Sequence, residues 1–148
     1  MSGTAGRLVI GFIAAALAVL TVHQGIVFLL TQLGWIKGTP WSFAGVAPYG
    51  VPQLLNGMFW GGLWGALFGL IHEKLPGNST AVKGLIYGGL IALFSNFLIL
   101  PFIRGEMLGM KNQVYFAGGD PQRMLATLCI LGGFGVATAL IYKFLERE

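Results

Sequence analysis

Four stretches of this chain contain no Asp, Glu, Lys or Arg: residues 8–36, 38–71, 84–103 and 124–142. A helix needs roughly 20 apolar residues to cross about 30 Å of hydrocarbon. Each window therefore supplies one span, and none is long enough for two helices and a turn. Charged residues make up 9% of the chain, hydrophobic residues 55%, and the mean hydropathy is +0.77. A soluble domain carries about 25% charge; a 148-residue soluble domain could not cover its surface with so little. The expected fold is an all-α, integral membrane four-helix transmembrane bundle with two aromatic-rich loops on one face. It forms a single domain over 1–148, with spans at 8–32, 52–73, 81–103 and 123–144.

The first window has the outline of a signal peptide, with Arg7 ahead of it and "AALA" ending at Ala18. Apolar sequence runs on to Leu30, so it reads as an uncleaved span. "PGNST" at 76–80 is a tight turn, with Ser79 or Thr80 as N-cap of the third helix. "GGDPQR" at 118–123 puts Asp120 at the cap and Pro121 at the first position of the fourth. Pro101 is expected to kink or end the third helix before Arg104. With the N-terminus inside, Arg7, Lys74, Lys83, Lys143 and Arg147 face inward against Lys37, Arg104, Lys111 and Arg123 outside. That bias favours cytoplasmic termini.

The outer connection 34–52 carries Trp35, Trp41, Phe43 and Tyr49 and is expected in the membrane interface, a re-entrant loop being the alternative. The connection 105–119, with Met107, Met110, Tyr115 and Phe116, is of the same kind. The single cysteine, Cys129, excludes an internal disulfide and two-cysteine metal or redox motifs, and reads as a small apolar core residue.

The second window ends in "GMFWGGLWGALFGLIHEKL" (57–75), where Gly57, Gly61, Gly65 and Gly69 recur every four residues beside Trp60, Trp64, Phe68 and His72. Residues four apart share a helix face, and small residues let helices approach in lipid, where no hydrophobic drive joins them. Gly84, Gly88 and Ala92 make a similar row on the third span, and Gly133 with Ala137 on the fourth. These are the candidate helix-packing residues, within the monomer or against another membrane protein.

Polar groups inside a membrane are costly and mark candidate sites. At about 1.5 Å per residue, His23 and Asn96 come out roughly 22 Å above the inner face, and Asn56 and Thr127 about 24 Å. With Gln24 and Ser95 as neighbours and Trp60 a turn below Asn56, these residues form a candidate polar pocket in the outer third. The simpler reading is hydrogen bonding across the bundle. His23 is the one group there that titrates near neutrality, and a single pigment or lipid beside it is the one ligand this layer suggests; no cofactor and no metal are otherwise expected.

The five acids, Glu73, Glu106, Asp120, Glu146 and Glu148, lie at span ends or in loops. Carboxylate relays and acid–base catalytic sets therefore have no central residues to use. His23 and His72 are about 20 Å apart along the membrane normal, too far for joint haem ligation. Nothing in the charge pattern suggests nucleic acid.

"HQG" late in span one together with "FWGGLWG" in span two resembles a group of small four-span bacterial inner-membrane proteins of unassigned function. The resemblance implies a multi-pass protein of the bacterial inner membrane and brings no activity with it. The expected function is a non-catalytic accessory or scaffold subunit, packing through glycine-rich helix faces against other membrane subunits or itself. The alternative is a small-solute or lipid-binding transporter or channel using the polar layer around His23 and Asn96.

Overall fold

The computed structural model describes residues 3–147. Four helices, each long and apolar enough to cross a membrane, make up the fold: α1 Thr4–Gln32, α2 Gln53–Ile71, α3 Thr80–Met107 and α4 Pro121–Glu146. The protein is an all-α four-helix membrane bundle. The only sheet among the described residues is a short antiparallel ribbon before α2, in which β1 (Gly45–Val46) pairs with β2 (Val51–Pro52). Helix starts follow local chemistry. Ser79 accepts a hydrogen bond from the Val82 N–H ahead of α3, and Asp120 accepts from the N–H groups of Gln122 and Arg123 ahead of α4.

Glycine decides which helices touch. A methyl group on Gly11 would collide with the carbonyl of Gly65, and one on Gly65 with that of Gly11. On the other side of the bundle Gly84 and Gly88 meet Leu131, Gly132 and Gly135 with the same backbone-to-backbone closeness. Two tight antiparallel hairpins result, α1 on α2 and α3 on α4, joined along α1 and α4. Fully buried Ala14, Ala15, Ala18 and Ala139 line these contacts, with Phe68, Tyr87, Phe134 and Tyr142 as the large core residues. Across the remaining gap, the Tyr87 hydroxyl donates to the Trp64 carbonyl at 2.6 Å, and Phe68 lies 5.1 Å from the Tyr87 ring.

The aromatic row beside the glycines winds from outside to inside. Residues spaced by four drift about 40° per step, so Trp60 is 54% exposed while Phe68 is 2% exposed. The Phe12 ring covers Gly62 on the flank of the row.

Pro101 neither ends α3 nor stops it short of Arg104: it is buried, and the helix continues to Met107. The backbone widens to five-residue hydrogen bonding over Ala92–Ile99 before it and Ile103–Met107 after it. Proline lacks an N–H and its ring crowds the carbonyl four residues back; a wider turn relieves both. α1 has a similar wide turn at Val19–His23. Cys129 is exposed rather than in the core. With Gly135 seated on Gly84, the rotation of α4 is set, and a residue six positions earlier points about 240° away.

Candidate functional site

The wide turn of α1 is where the loop 34–52 docks. Trp41 donates its backbone N–H to Gln24 Oε1 at 2.9 Å and its indole Nε1–H to the Leu20 carbonyl at 2.8 Å. Its φ of 52° is left-handed, and its ring packs 6.2 Å from Phe28. Leu20 is twelve residues before the end of α1, roughly 18 Å along the axis. The loop thus descends beside α1, and α2 starts where it turns: the N–H groups of Gln53 and Leu54 donate to the carbonyls of Ala44 and Ser42. Gln24 Nε2 lies 3.4 Å from His23 Nδ1, and the His23 ring meets Phe134 edge-on at 6.2 Å.

The residues of the predicted polar layer divide by environment. Gln24 is 7% and Ser95 9% exposed, and His23, Asn56 and Thr127 are half-buried. Asn96 and Trp60 are exposed on the outside of the bundle, so Trp60 is neither floor nor wall of an internal pocket. Height separates them as well. Gly88 meets α4 at Leu131, near the level where His23 meets Phe134, and Asn96 is eight residues further along, roughly 12 Å. Thr127 is seven residues from Phe134, roughly 10 Å, and its hydroxyl donates to the Arg123 carbonyl. A single layer requires helices that start flush and run parallel to the normal. α1 begins at Thr4, and the hairpins are offset, so the equal residue counts do not give equal heights.

Asn96 is therefore an amide on the outward face of a membrane-length helix, with no protein hydrogen bond among the described residues. Leu93, Ile99 and Phe102 are also exposed along α3. Beyond them Leu98, Ile99, Phe102 and Tyr115 line a shallow apolar depression.

A second feature lies at the end of the bundle that carries the termini. There a cavity of about 390 Å³ opens between the end of α2, the turn into α3 and the last turns of α4. Phe68, Ala139 and Tyr142 make its apolar floor, and His72, Glu73, Lys83, Lys143 and Glu146 its polar rim. Glu73 Oε1 accepts from Arg7 Nη2 at 2.7 Å, and the Arg7 guanidinium holds the Glu73 carboxyl below its ordinary range. Lys83 Nζ donates to the His72 carbonyl at 3.2 Å, and the Tyr142 hydroxyl to Glu146 Oε1 at 3.4 Å. The His72 ring packs at a tilt against Tyr142, centroids 4.7 Å apart, with Nδ1 3.1 Å from the Gly69 carbonyl. Among the described residues no three His, Cys, Asp or Glu side chains converge on a metal-binding point.

The docking of Trp41 on α1 and this cavity are the two features without a counterpart in the sequence reading. Pro40 ahead of Trp41 and the Lys83–Lys143–Glu146 set at span ends are their only signals. Comparison of the chain with protein-family models, with curated proteins and with solved structures finds no match.

Proposed function

We propose that the protein is a non-catalytic accessory subunit that docks through the outward face of α3 onto a membrane-embedded partner helix. The observation that carries this reading is Asn96. An amide facing hydrocarbon without a partner is costly, and a polar group of a neighbouring transmembrane helix removes that cost, at about 0.6–2 kcal/mol per bond. Exposed Leu93 and Ile99, three residues before and after Asn96, supply apolar contact near it. The resemblance noted above and the excess of basic residues beside the termini support a bacterial inner membrane with cytoplasmic termini.

Extraction in mild detergent is expected to recover a complex of fixed stoichiometry, and N96L to release the partner while leaving the four-helix fold intact. A strictly monomeric protein without a partner overturns the proposal. Solute flux abolished by H23A and untouched by N96L would favour the transporter reading instead.

A further inference from the structure

The cavity at the terminus end is built differently from a gap between helices, because both signs of charge surround an apolar floor. We propose that it binds the headgroup of a phospholipid bearing both a phosphate and a primary ammonium. Lys83 and Lys143 face the cavity from α3 and α4. Lys83 directs one of its three donors to the His72 carbonyl, which holds the ammonium at the rim with donors to spare. Lys143 makes no ion pair among the described residues.

The two carboxylates are not equivalent. Glu73 is already engaged by Arg7 at 2.7 Å, whereas Glu146 has only the Tyr142 hydroxyl at 3.4 Å. Among the described residues, the free charges facing the cavity are thus two ammonium groups and one carboxylate. An anion alone would leave Glu146 unpaired beside it; a cation alone would meet the two lysines. A headgroup with a phosphate for the lysines and an ammonium for Glu146 satisfies both through charge-assisted hydrogen bonds. A trimethylated ammonium has no N–H to donate, and a glycerol headgroup has no cation.

Position and size agree with this occupant. The cavity lies where three uncharged windows end, the depth at which headgroups meet helix ends. Its volume of about 390 Å³ is within the range of small-ligand sites. Phe68, Ala139 and the Tyr142 ring give the cavity an apolar floor beside its charged rim. The cavity is at the opposite end from Asn96, so the failure of either proposal leaves the other standing.

The test is native mass spectrometry of the full chain, delipidated and then offered phosphatidylethanolamine, phosphatidylglycerol or phosphatidylcholine at equal amounts, with inorganic phosphate as a separate arm. The wild-type chain is expected to retain the ethanolamine lipid roughly tenfold better than the other two. E146Q is expected to erase that preference while keeping phospholipid binding, and K143M to weaken all three lipids. Equal retention of the three lipids by the wild-type chain overturns the proposal without reference to any variant. So does retention of inorganic phosphate in place of lipid, or an ethanolamine preference that survives E146Q.

Discussion

The two ends of this bundle are held together in opposite ways. Towards the termini the helices are regular, and they meet because side chains are missing: Gly11 on Gly65, Gly84 and Gly88 on Gly135. Towards the loops the backbone is irregular. The wide turns Val19–His23, Ala92–Ile99 and Ile103–Met107 lie there, as do the left-handed non-glycine residues Trp41, Asn112, Phe116 and Ala117. Contact at that end is made by side chains that reach out, with Trp41 bonded to Leu20 and Gln24. Non-helical backbone at membrane depth must find its partners inside the protein, and the indole and amide provide them. One end is specified by what is absent and the other by what is added, so the two should fail under different substitutions.

The largest effect is expected at the glycine crossings. G65A and G135A place a methyl group against backbone, which cannot rotate away, and each is expected to lower stability by about 1–3 kcal/mol. G57A, whose methyl would sit 3.6 Å from Val19, and G89A, which faces open space, are expected within about 0.5 kcal/mol of the parent. Thermal unfolding in detergent measures all four, and equal losses would erase the contrast. W41F comes next: it removes only the indole N–H to Leu20, at about 1 kcal/mol, and is expected to speed proteolysis within 34–52 while the α1–α2 crossing stays intact.

The smallest effect belongs to Arg7 and Glu73. The Arg7 guanidinium lowers the pKa of Glu73 in the folded state, so its contribution is complete above the ordinary carboxylate value and disappears as pH falls through the folded one. E73Q is expected to flatten the stability profile in that acidic window and to lower stability slightly at neutral pH, the loss being small because the pair is solvent-exposed and screened.

What the sequence made legible followed from short-range rules. The four spans, the caps Ser79 and Asp120, and the close contacts of Gly65, Gly84 and Gly88 each depend on a few neighbouring residues. The candidate polar residues were a different matter. Their grouping rested on depth, and depth depends on helix offset and tilt, which no local spacing records. His23 and Gln24 lie side by side, while Thr127 and Asn96 lie higher and Asn96 points outward. Trp41 reached its partners across 17 and 21 residues, a distance at which an aromatic residue in a loop looks like any other interfacial anchor. At Pro101 the helix does not end before Arg104, because its turns widen on both sides of the proline.

The reciprocal glycine contacts also bear on how the molecule assembles. Each tight pair consists of helices consecutive in the chain, α1 with α2 and α3 with α4. A hairpin of neighbours closes with little loss of loop entropy, so the first can form before the second has been synthesised. Joining α1 to α4 then closes the longest loop in the fold and belongs last. The fold is two hairpins of chain neighbours, held to each other by α1 against α4 and by Tyr87 and Phe68 between α2 and α3.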